Sequence, residues 1–146
     1  MGAGAAGPDD PGSGARAQKP VIAVFNSSND TVDLLRTVLE EQGFQTVAGH
    51  IPDLKKGELD LVAFIQHHAP SVIVYDISPP YDANWTFLRL VRSSEPVRDR
   101  RFVITTTNKP ALDKLVGATE AIEIIGKPYD LQQVVAAVRS ALPSTP

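Results

Sequence analysis

The sequence predicts a doubly wound α/β domain, a three-layer sandwich in which a five-stranded parallel sheet carries helices on both faces. Three observations point there. Five short runs rich in aliphatic and β-branched residues recur along the chain, segments of helical periodicity separate them, and the two kinds of segment alternate strictly. Strict alternation requires crossover connections, which are right-handed and lay successive helices against the sheet.

The first strand is predicted over Val21 to Phe25, and the helix after it over Thr31 to Glu41, with Val32, Leu35, Val38 and Leu39 on one face. Asn29 or Asp30 is suited to cap that helix. The second strand, Gln45 to Ala48, is the more polar and so belongs at an edge. A helix over Glu58 to His67 follows, with Leu61, Val62 and Ile65 as its stripe. The third strand, Ser71 to Tyr75, leads to a helix over Asn84 to Arg92 with Phe87, Leu88 and Val91 inward. The fourth strand, Phe102 to Thr106, leads to a short helix over Ala111 to Val116 that stops at Gly117. Ala121 to Ile125 supplies the fifth strand, and Leu131 to Leu142 the closing helix, with Leu131, Val134, Val135, Val138 and Leu142 on one face.

A chain of 146 residues suits one domain, placed over residues 19–143. Residues 1–18 are dominated by Gly, Ala and Pro and cannot bury enough surface to offset ordering entropy, so they read as a disordered tail. They lack the basic start and apolar stretch of a secretory signal, and the expected compartment is the cytoplasm. With 14 Lys and Arg against 17 Asp and Glu the net charge is −3, which disfavours a general nucleic-acid binder. Zero Cys excludes disulfides, thiolate metal sites and thiol nucleophiles. The apolar runs fall far short of the roughly 20 residues of a membrane span.

In sheets of this kind, ligands sit outside the carboxyl ends of the strands, where the strand order reverses. Asp76 follows the third strand directly, and a carboxylate there is costly unless cations, amides or metal offset its desolvation. Lys127, in Gly126-Lys127-Pro128-Tyr129, reaches the same rim after the fifth strand, and Thr105, Thr106 and Thr107 offer hydroxyls after the fourth. Elsewhere, His67 and His68 are adjacent on a helix, so they share no face and read as a solvated helix end. Trp85 and Tyr81 read equally as packing or as a partner surface. Arg89, Arg92, Arg98, Arg100 and Arg101 read as solvated surface, with a docking patch for an acidic partner as the alternative.

With VIVYDISPP at the third strand, FVITTTN at the fourth and GKPYD before the last helix, the chain resembles the receiver domain of bacterial two-component response regulators over roughly residues 19–143. The resemblance implies a flavodoxin-like fold in which a histidine kinase or phosphotransfer protein phosphorylates an aspartate with Mg²⁺ present, altering contacts with a downstream signalling protein. Asp76 matches the phospho-acceptor and Lys127 the lysine that contacts its phosphoryl group. Thr106 best matches the switch hydroxyl, with Thr105 and Thr107 also open. Ser78 matches the position whose backbone carbonyl ligates the metal, and Pro80 the proline of that loop. The chain ends after its last helix, as a single-domain regulator would.

Two departures set expectations. Receivers of this kind carry an acidic pair after the first strand, where Asn26 and Ser27 stand here. Mg²⁺ relies on carboxylates to offset its dehydration, so its affinity should be weak and phosphotransfer slow or absent. Asp30 and Asp33 should point to solvent and not replace the pair. Ile124 also stands where the family often places an inward-swinging aromatic. The expected function is an atypical receiver acting by protein contact, with no turnover chemistry beyond weak self-phosphorylation of Asp76. A phosphorylation-independent docking module with a fixed Asp76–Lys127 ion pair is the alternative. Residues 26–31 could instead bind FMN or a nucleotide, although they lack glycines that allow close backbone approach.

Overall fold

The computed structural model describes residues 19–118 and 122–143. The expected tail over 1–18 and Ala121, the expected start of the fifth strand, lie outside the described residues. In chain order the elements are β1 (Val21–Asn26), α1 (Asn29–Glu41), β2 (Gln45–His50), α2 (Ile51–Lys55), α3 (Leu61–His68), β3 (Val72–Ile77), α4 (Tyr81–Arg92), α5 (Glu95–Arg98), β4 (Arg101–Thr106), α6 (Lys109–Val116), β5 (Ile122–Gly126) and α7 (Leu131–Ala141). The sheet is parallel throughout, in the order β2-β1-β3-β4-β5. This is the expected flavodoxin-like architecture.

Side chains alternate across each strand and so divide the core between two helical layers. Ile22, Val24, Val72, Val74 and Val103 pack with Val32, Leu35 and Leu39 of α1 and with Val134, Val135 and Val138 of α7. Ala23, Phe25, Ile73, Tyr75, Phe102 and Ile104 pack with Leu61, Ile65, Trp85, Leu88 and Leu112 on the opposite face. β3 is buried along its whole length, whereas β2 is exposed to half-buried, as an edge strand should be. Trp85 is thus a packing residue.

The boundaries depart from expectation at the strand ends. β1, β2 and β3 each continue beyond the aliphatic run, taking in Asn26, His50 and Asp76 as strand residues. Propensity favours stopping at the polar residues, but each still has a parallel partner on one side, Asn26 with His50 and Asp76 with Thr105. α1 is capped by Ser28, whose hydroxyl accepts the Thr31 N–H at 3.2 Å, and not by Asn29 or Asp30. α4 begins three residues earlier than the periodicity indicates, at Tyr81 behind Pro80. α3 begins at Leu61 with Asp60 as its cap, leaving Glu58 outside. The short α2 and α5, each with Pro in the first turn, escape a periodicity search because they are only one or two turns long.

Several arginines serve the scaffold. The Arg100 guanidinium donates to the carbonyls of Pro96 and Pro70, and Arg92 lies 5.6 Å from the centre of the Phe102 ring. Among the described residues, no helix is long and apolar enough to cross a membrane.

Candidate functional site

The strand order reverses between β1 and β3, because β1 connects onward to β2 on one side and pairs with β3 on the other. Asn26 and Asp76 end the pairing at this point, one step beyond the Phe25–Tyr75 register pair. Both side chains belong to the face that carries α1 and α7, by alternation from Val24 and Val74. Both residues are buried, at 4% and 5% exposure.

The Asp76 carboxylate is held by two donors. Lys127 Nζ lies 2.7 Å from Asp76 Oδ1, and the Thr105 hydroxyl donates to the same oxygen at 2.6 Å. These are charge-assisted contacts in a site that water barely reaches, which offset the cost of burying the anion. Lys127 is itself fixed by its backbone N–H, which donates to the Thr106 carbonyl at 2.7 Å across the β4–β5 edge.

The hydroxyl on Asp76 is therefore that of Thr105, one of the two alternatives left open, and not that of Thr106. In the β3–β4 register Asp76 stands opposite Thr105, and parallel partners share a face. Thr106 belongs to the opposite face with Phe102 and Ile104, and its hydroxyl accepts the Asn108 N–H at 3.3 Å. Thr107 lies beyond β4 and is 2.7 Å from the Tyr81 hydroxyl. Tyr129, next to the lysine loop, completes the network. Burial raises its phenol above 10.0, the Asp76 charge adds to the rise, and a hydrogen bond with Thr105 opposes it. Tyr75, behind Asp76 in β3, is raised further by burial and by the same charge. Neither sequence periodicity nor motif spacing singled out Tyr75 or Tyr129: Tyr75 lies on the face of the sheet opposite the Asp76 side chain, and Tyr129 reaches Thr105 from the loop after β5.

The donor set fits Mg²⁺ poorly. A hard cation of this size seeks several oxygens, with carboxylates to neutralise it. Oδ1 of Asp76 faces an ammonium, Asn26 Oδ1 accepts the Ser28 N–H at 3.0 Å, and the Ser78 carbonyl accepts from Asn84 Nδ2 at 2.6 Å. Asp30 and Asp33 are exposed on α1. Among the described residues, no group of three His, Cys, Asp or Glu side chains could hold a metal. That covers His67 and His68, whose rings sit 4.7 Å apart, with His68 against Phe64. The phosphate-loop alternative also fits badly, since Asp30 places a carboxylate in the first turn of α1.

No family model matches the sequence, and no curated protein matches it. Solved structures do. The chemotaxis protein CheY4 of Vibrio cholerae superposes with a TM-score of 0.65 at 18% identity, covering 86% of this chain and 100% of that one. The signal receiver domain of a putative Luxo repressor protein from Vibrio parahaemolyticus gives 0.66 at 15% identity, over 85% of this chain and 90% of that one. A CheY-like response regulator receiver domain from Methylobacillus flagellatus gives 0.62 at 13% identity, over 85% and 99%. The chain thus has the fold of receiver domains, along almost the whole length of its described part.

Proposed function

We propose that this chain is a receiver-fold signalling module that works through protein contact in a two-component or derived pathway, and that its contact surface is set without metal-assisted phosphotransfer. The observation that carries the reading is the closed state of Asp76, whose Oδ1 is held by Lys127 and Thr105, with Asn26 and Ser27 where acids would seat a metal. In such a module the ammonium is the permanent counter-ion of the carboxylate. A histidine kinase or phosphotransfer protein then acts as a docking partner rather than a phosphodonor, and a downstream signalling protein reads the same fixed surface.

A second reading is weak phosphorylation of Asp76 by a partner that supplies the missing charge. It is favoured by one feature, the convergence of an ammonium and a hydroxyl on one carboxylate oxygen, which would serve equally to bind phosphoryl oxygens. A beryllofluoride titration in millimolar Mg²⁺, followed by NMR of the rim amides, separates the two. The wild type is expected not to respond, while an Asn26→Asp/Ser27→Asp double variant responds in a manner abolished by Asp76→Asn. Saturable binding by the wild type would overturn the docking reading in favour of the second.

A further inference from the structure

His50 ends β2 opposite Asn26 of β1. Its Nε2 lies 2.8 Å from the Ser27 carbonyl oxygen, and its Nδ1 lies 4.0 Å from Asp53 Oδ1 in α2. A carbonyl oxygen only accepts, so Nε2 carries the hydrogen, and in the neutral ring the Nδ1 lone pair faces the Asp53 side. Ser27 lies in the loop between β1 and α1, beside the buried Asn26. On its inner side the loop is tied by the Asn26 Oδ1 contact with the Ser28 N–H, and at its far end by the Ser28 cap on α1. The outward-facing Ser27 carbonyl is held from the neighbouring strand.

We propose that His50 is a positioning residue that tethers the β1–α1 loop, fixing through a hydrogen bond a segment that a seated cation would otherwise draw toward Asp76. The inference rests on the reading of a metal-free rim, and it goes further by naming the group that sets the loop. Position matters here because the carbonyl of Ser27 and the amide of Ser28 flank one peptide unit. Holding one orients the other onto Asn26 and keeps the Asn26 side chain turned to its own backbone. The tether comes from an edge strand whose last residue also stands at the N-cap position of α2, without a side-chain capping bond, so a partner that engages α2 or the exposed side of the ring would shift the loop.

The test uses the full chain. Long-range proton–nitrogen NMR spectra at pH 8.5, with His50 assigned by its loss in His50→Gln, should show the Nε2–H tautomer. Solvent exchange of the Ser28 amide should rise about fivefold in His50→Leu, the loss of one hydrogen bond of ordinary strength. Amides of Val72 to Tyr75 in the same variant should be unchanged. His50→Gln, whose amide can donate to the same carbonyl, should restore the wild-type rate. An Nδ1–H tautomer, or unchanged Ser28 exchange in His50→Leu, would overturn the tether. If His50→Leu loosens the whole sheet, the tautomer and the Gln rescue decide instead. The same spectra with 10 mM MgCl₂ judge the underlying reading separately: slower loop exchange in the wild type would overturn the metal-free rim, whatever the ratio between His50→Leu and wild type.

Discussion

Removing Lys127 should cost this fold more than removing Asp76. The ion pair spans 2.7 Å, with the carboxylate 5% exposed and the lysine side chain 29% exposed. At an effective dielectric constant near 20, two unit charges at that separation attract by about 6 kcal/mol before desolvation is subtracted. Lys127→Met leaves a buried anion with the Thr105 hydroxyl as its hydrogen-bond donor among the described residues, a change of about 3–5 kcal/mol for fully buried pairs. Partial access of water to the lysine side places the expected loss near the lower end, about 3 kcal/mol. Asp76→Asn keeps an acceptor for Thr105, and the freed ammonium can turn toward solvent, so its cost is about 1 kcal/mol. Urea unfolding at pH 7 should show this ordering with unchanged m-values, and the double variant should lose less than the sum of the two. For a domain of this size the Lys127→Met change corresponds to a melting point lower by about 6–12 °C. Equal effects of the two single variants, or strict additivity in the double, would refute the view that Lys127 neutralises a buried charge.

Three further outcomes follow from the same geometry. Thr105→Val, which removes a donor to a charged group, should destabilise by about 1.5–3 kcal/mol, and Thr106→Val by about 0.5–1 kcal/mol, compared by urea unfolding. Tyr75 and Tyr129 both ionise later in the fold than in the unfolded chain, so their contribution to stability is complete below pH 10, the ordinary phenol value, and is lost as pH rises through their higher folded values. Their phenolate absorbance should emerge together with alkaline unfolding, and Tyr75→Phe should shift that transition upward. Gly49→Ala should cost about 1–3 kcal/mol by thermal unfolding, because an added Cβ would collide with the Phe25 ring and with Leu59.

The layer structure was legible because it rests on periodicity. The stripe of Val32, Leu35 and Leu39 and the aliphatic runs of β1, β3 and β4 have no other use than a doubly covered sheet. The rim was legible only in part. Asp76 and Lys127 stand at strand ends whatever the register, so their meeting follows from topology alone. The threonine does not: three in a row fit a strand end equally well, and only the pairing of Asp76 with Thr105 selects one of them. His50 and Tyr129 were hidden for a similar reason. Their partners lie on neighbouring strands or loops, and sequence spacing holds no record of that adjacency.

The charge balance of the rim argues that Asn26 belongs to the closed state rather than merely filling a vacated position. Its Oδ1 already accepts the Ser28 N–H, which an aspartate could do as well, so the difference between the two residues is one negative charge. Asn26 is 4% exposed and stands on the strand next to Asp76, where neighbouring strands run about 4.8 Å apart. A single ammonium cannot neutralise two buried carboxylates at that spacing. Asn26→Asp alone should therefore destabilise the metal-free protein, by about 2–4 kcal/mol at neutral pH, the cost of an uncompensated buried anion. The second carboxylate should also raise the affinity for divalent cations. If the variant binds Mg²⁺ a hundredfold below the working concentration, the metal returns about 2.7 kcal/mol. Melting curves with and without 10 mM MgCl₂ should then show a gain in the variant and none in the wild type. A variant stabilised without metal, or a wild type stabilised by it, would mean that the lysine is not the carboxylate's sole counter-charge.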